Sequence, residues 1–69
     1  MKYLVKTYKP LEIRSFKNIK QAKGFIFKYA FLNNIDLGTL EIDTKTISFQ
    51  VTNGNEPKIR FERNPITFN

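Results

Sequence analysis

The residues of this sequence that could do chemistry fall into two groups. The first is acidic: Asp36, then Glu41-Ile42-Asp43-Thr44-Lys45. Two carboxylates two residues apart, with a lysine just beyond, have the outline of a site that holds Mg²⁺ and steadies an attacking water. The same stretch also has the composition of a turn, because Asp and Thr hydrogen-bond their own backbone. The turn is the stronger reading. The second group is basic and aromatic: Lys20, Lys23 and Lys28 interleave with Phe27 and Phe31, and Arg14 and Lys17 precede them. Ammonium groups neutralise phosphates and aromatic rings stack on bases, so this set suits single-stranded nucleic acid. The same atoms also suit an acidic protein, with the phenylalanines as anchors and the lysines steering the approach. A homodimer through this face is a third reading, and a solvated, lysine-rich surface with no partner is the simplest one.

Other chemistry is excluded by residues the chain lacks. It has no Cys, so there is neither a disulfide framework nor a thiolate for a metal. It has no His, the commonest metal ligand and the commonest general base near neutral pH. Its three glycines are far apart and form no phosphate loop. Ser15 and Ser48 have no identifiable base. The expectation is a protein that binds rather than catalyses, with no cofactor and no metal.

Charge is distributed unevenly. Residues 1–35 hold Lys2, Lys6, Lys9, Arg14, Lys17, Lys20, Lys23 and Lys28 against Glu12 alone, a balance of +7. Residues 36–69 hold Lys45, Lys58, Arg60 and Arg63 against Asp36, Glu41, Asp43, Glu56 and Glu62, a balance of −1. The net +6 therefore resides in the N-terminal half. A basic patch of this kind attracts polyanions.

The elements that must position these residues follow from hydrophobic periodicity. Residues 2–9 are rich in β-formers, with Tyr3, Val5 and Thr7 on one side. Pro10 interrupts the run, and Leu11 to Arg14 is a second strand or a continuation past a bulge. Asn18-Ile19-Lys20-Gln21 has the form of a capping box and opens a helix from about Ile19 to Asn33. On that helix Ile19, Ala22, Phe25, Ile26, Tyr29 and Leu32 form one apolar stripe. Phe27 and Phe31 fall on the other side, four residues apart, among lysines. Three period-2 runs follow, at 39–43, 47–51 and 58–62. Asn53-Gly54 starts a loop that the pattern extends to Pro57. The fold expected is α+β: an N-terminal strand region, one central helix and a three-stranded antiparallel meander, arranged as a two-layer sandwich.

Sixty-nine residues make one small domain, with 64–69 as a tail or an added edge strand. No apolar stretch approaches the length of a signal peptide or a membrane span, so neither a membrane nor a targeting segment is expected and the location expected is cytoplasmic. The heavy use of Lys, Ile, Asn and Phe resembles proteins of AT-rich genomes, small phage and mobile-element proteins among them. An inhibitor or adaptor acting on an acidic host protein belongs to that class.

Overall fold

A computed structural model describes residues 2–63. Alternation in the first strand, β1 (Tyr3–Tyr8), puts Tyr3, Val5 and Thr7 in the core, while Leu4, Lys6 and Tyr8 face the other way. Pro10 does not merely bulge this strand. It ends it, and the Lys9-Pro10 peptide is cis within the turn to β2 (Leu11–Phe16). The Thr7 hydroxyl, buried at 1 % exposure, donates to the Pro10 carbonyl oxygen at 2.9 Å, so the polar group costs little where it lies.

The helix α1 spans Ile19–Leu32. Asn18 caps it: its side-chain oxygen accepts from the Gln21 N–H at 2.8 Å, which satisfies one of the free donors of the first turn. At the other end Asn34 takes the left-handed conformation, with φ 55°, and stops the helix. Ala22, Ile26 and Ala30 are the buried residues, and the two small alanines let the helix lie close to the sheet. Ile19, Phe25 and Tyr29 pack at the margin of this stripe. Leu32, expected in the stripe, is 66 % exposed, because it lies in the last turn and rotated away from Ala22 and Ile26.

The remaining strands are β3 (Ser48–Asn53) and β4 (Glu56–Arg63). Their connection is shorter than expected. Asn53 pairs with Glu56 across a two-residue turn, with Gly54 at φ 63° in the first central position. Pro57 lies inside β4 opposite Thr52, beside a bulge and beyond the last β1 partner, Ile59, so its missing N–H breaks no central ladder.

All pairings are antiparallel and the strand order is β2-β1-β4-β3. Thus a four-stranded antiparallel sheet and one helix make an α+β fold. The expected three-stranded meander is present only as β3 and β4. Residues 39–43 form no strand; they belong to an irregular segment between α1 and β3. Their alternation records burial without pairing: Ile42 is buried and Leu40 is half-buried, and Asp43 turns the chain immediately afterwards. This segment supplies Ile35, Leu37, Leu40 and Ile42 to the core, and α1 supplies the rest of the cover, over β1 and β2. Phe61 stacks on Phe49 at 5.1 Å between ring centroids and on Tyr3 at 6.1 Å, so aromatic rings fill the middle of the sheet face. The expected tail or edge strand at 64–69 lies outside the described residues.

Candidate nucleic-acid interface

The helix presents its lysines and two of its phenylalanines away from the core. Phe31 is 82 % exposed and Phe27 39 %, and neither packs against the core cluster. Lys20, Lys23, Phe27 and Phe31 follow one another at spacings of three and four, which puts them along one flank of α1. The Lys23 ammonium lies 5.8 Å from the centre of the Phe27 ring, within reach of a cation–π contact. Gly24, on the same exposed surface, has no neighbour within 4 Å of where a Cβ would stand.

The other expected site residues are distributed differently. Arg14, on β2, holds its guanidinium 5.2 Å from the centre of the Phe25 ring and pairs with Glu12 at 3.2 Å. Phe25 and Phe27 are two residues apart, which is about 160° around an α-helix. Arg14 is therefore on the opposite flank from Phe27. Lys28 lines a shallow cleft with Arg14, Phe25, Tyr29 and Leu32, while also standing three residues from Phe31. Lys17 is exposed just before the helix cap. The fold thus assembles Lys20, Lys23, Phe27 and Phe31, places Lys28 at the border and separates Arg14.

Ion pairing divides the cations into two sets. Lys9 and Lys58 both pair with Glu56, Arg14 with Glu12, and Arg60 with Glu62. These pairs all lie on strands and their turns. Lys17, Lys20, Lys23 and Lys28 make no ion pair among the described residues. Carboxylates on the strands thus offset Lys9, Arg14, Lys58 and Arg60, whereas the helix lysines, like Lys6 on β1 and Arg63 on β4, have no carboxylate partner among the described residues.

The acidic group does not converge. Asp36 Oδ1 accepts from the Gly38 N–H and Asp43 Oδ1 from the Lys45 N–H, each at 2.8 Å. Each carboxylate closes its own turn. No cluster of three or more metal-binding side chains occurs among the described residues.

The sheet face away from α1 mixes charged with apolar side chains. One row runs Ile13, Lys6, Arg60 and Gln50, and the next begins with Leu11 and Tyr8. Leu11 and Ile13 are 68 % and 51 % exposed, and the Lys6 ammonium lies 5.2 Å from the Tyr8 ring centre. The signal was in the alternation of Leu11 and Ile13 in β2, but only the strand order shows that nothing in the described residues covers them.

No protein-family model, curated protein or solved structure matches the chain. No helix among the described residues is long and apolar enough to cross a membrane.

Proposed function

We propose that the chain is a small non-enzymatic accessory domain that binds single-stranded nucleic acid through the exposed face of α1. One observation carries the reading: Lys20 and Lys23, with Lys28 at the border and Lys17 before the cap, have no carboxylate partner among the described residues and share the exposed side of α1 with two phenylalanines that the core does not use. An ammonium without a partner is free to neutralise a phosphate, and an exposed ring offers a base a sequence-independent stacking surface. A base that stacks on Phe27 displaces the Lys23 ammonium from the ring towards the backbone phosphates. The helix and the irregular segment pack together over one face of the sheet, which leaves this side of α1 outward. Arg14, already engaged by Glu12 and Phe25, plays at most a peripheral part.

Titration of a labelled single-stranded oligonucleotide at several salt concentrations tests the reading. Binding should weaken linearly on a log–log plot, with a slope of roughly −2 to −3.5 for three to five contacts. No binding at low salt would overturn it. Capture of an acidic protein from nuclease-treated lysate, with no oligonucleotide binding, would assign the same face to a protein partner instead.

A further inference from the structure

The strand β2 is an edge of the sheet, and its outer row of backbone donors and acceptors has no partner strand among the described residues. Natural edge strands are usually blunted by lysine, proline or a bulge. None of these occurs in Leu11-Glu12-Ile13-Arg14-Ser15-Phe16, whereas the opposite edge, β3, has a register shift at Val51/Thr52. Leu11, Ile13 and Ser15 lie on the face away from α1, and Glu12 and Arg14 on the face beneath it. Two inward charges on an edge strand repel most incoming strands. They do not repel a second copy of this strand, and the reason is geometric.

In a two-fold antiparallel pairing of β2 with itself, residues directly opposite must lie on the same face of the joined sheet, so the axis must pass through a residue. An axis at Glu12 opposes Glu12 to itself, and an axis at Arg14 opposes Arg14 to itself. Both place like charges in contact. An axis at Ile13 opposes Ile13 to Ile13 on the outer face and Glu12 to Arg14 twice on the inner face. We propose that the chain forms a homodimer through β2, in the register centred on Ile13, giving a continuous eight-stranded antiparallel sheet.

The helices fit this arrangement. Each α1 lies over β1 and β2, so the two axes stand about two strand spacings apart, roughly 10 Å, a normal helix packing distance. The flank of α1 turned to the seam is the one bearing Phe25, Lys28 and Leu32, which supplies an apolar contact for the 66 % exposed Leu32. The flank bearing Lys20, Lys23, Phe27 and Phe31 stays outside the interface, and of the α1 residues proposed to meet nucleic acid only Lys28 borders the seam.

Sedimentation velocity on the chain and on two charge-reversal variants decides the matter. The parent chain should be a dimer at high micromolar concentration. Glu12→Arg and Arg14→Glu each oppose like charges across the axis, so each variant alone should be a folded monomer by circular dichroism. Mixed together, the two variants restore both opposite-charge pairs and should form a one-to-one heterodimer. That recovery also shows that neither variant lost association through misfolding. A monomeric parent, a dimer that persists in both variants, or a mixture that stays monomeric would overturn the proposal.

Discussion

The Tyr29 hydroxyl donates to the Lys9 carbonyl oxygen at 3.0 Å, across 20 residues of sequence. It joins the third turn of α1 to the turn between β1 and β2. The ring of Tyr29 also stacks on Phe25 at 6.2 Å, so one side chain serves both core margin and tether. Replacing Tyr29 with Phe keeps the ring and removes only the hydrogen bond. The expected loss is about 0.5–1.5 kcal/mol of stability, at the lower end because the bond is exposed. Urea denaturation of the two proteins measures it, and equal midpoints would show that the tether contributes nothing.

Gly24 sits inside α1 at an ordinary helical position, with open space where a Cβ would stand. Glycine in a helix interior is less stable than alanine because it has more backbone freedom to lose. Gly24→Ala should therefore stabilise the domain by about 0.5–1 kcal/mol. If the glycine lets a nucleic-acid backbone approach the helix closely, the same substitution should weaken oligonucleotide binding while raising the melting temperature. Binding that is unchanged would limit Gly24 to no part in the interface.

Lys9 and Glu56 meet at 2.6 Å and link the turns of the two hairpins. The hydrogen bond from Lys9, then that from Lys58, holds the Glu56 carboxyl below its ordinary value of 4.5. The hydrogen bond to Glu56 raises the Lys9 ammonium above its ordinary 10.5. A lowered carboxyl pKa favours the folded state above the ordinary value, and that gain is lost as pH falls through the folded one. A raised ammonium pKa favours the folded state below its ordinary value, and that gain is lost as pH rises through the folded one. The contribution is therefore level between these two limits and fades outside them. Both groups are exposed, so salt should screen it. An NMR titration of the Glu56 side chain should show a depressed midpoint that rises in Lys9→Ala; a midpoint indifferent to that substitution would remove the pair from the account.

On the α1 face, charge and stacking separate by their response to salt. Lys23→Ala should make the salt slope on single strands shallower by about 0.7, one phosphate contact, with little effect on folding. Phe31→Ala should weaken binding by about 1–3 kcal/mol and leave the slope nearly unchanged. Since Phe31 is 82 % exposed, its truncation removes no core packing. A Phe31→Ala protein that binds as tightly as the parent would leave the lysines as a diffuse electrostatic surface.

The helix was legible in the sequence almost to the residue, because its ends are chemical events: Asn18 accepts a backbone hydrogen bond and Asn34 adopts a left-handed turn. The position of Phe27 and Phe31 off the core follows from the same 3.6-residue period. The strand order was not legible. No local pattern says that β1 also pairs with β4, since pairing partners 50 or more residues apart leave no periodic trace. Residues 39–43 misled because Leu40 and Ile42 alternate as strand residues do, while their carbonyls and amides join no ladder. The division of cations into paired and unpaired was equally hidden, because Lys9 finds Glu56 only once both hairpins are in place.

The segment between α1 and β3 is held mainly by its own short-range bonds. Ile35 N–H reaches back to Ala30 O, Leu40 to Leu37 and Thr46 to Asp43. Its attachments to the rest of the molecule include the burial of Ile42 with its half-buried neighbours, the Arg63 guanidinium on the Thr44 carbonyl, and the Arg63 N–H on the Ile47 carbonyl at 2.8 Å. Gly38 and Thr39 stand exposed between these anchors, with no sheet register to keep. An insertion at this point would open only the local turn that the Leu40 N–H closes on the Leu37 carbonyl. Doubling a loop costs only about 0.6 kcal/mol in closure entropy, whereas one added residue in β1 would turn every side chain beyond it to the wrong face. Variation in length among descendants of this chain, or a peptide inserted by design, has a natural place between Leu37 and Leu40.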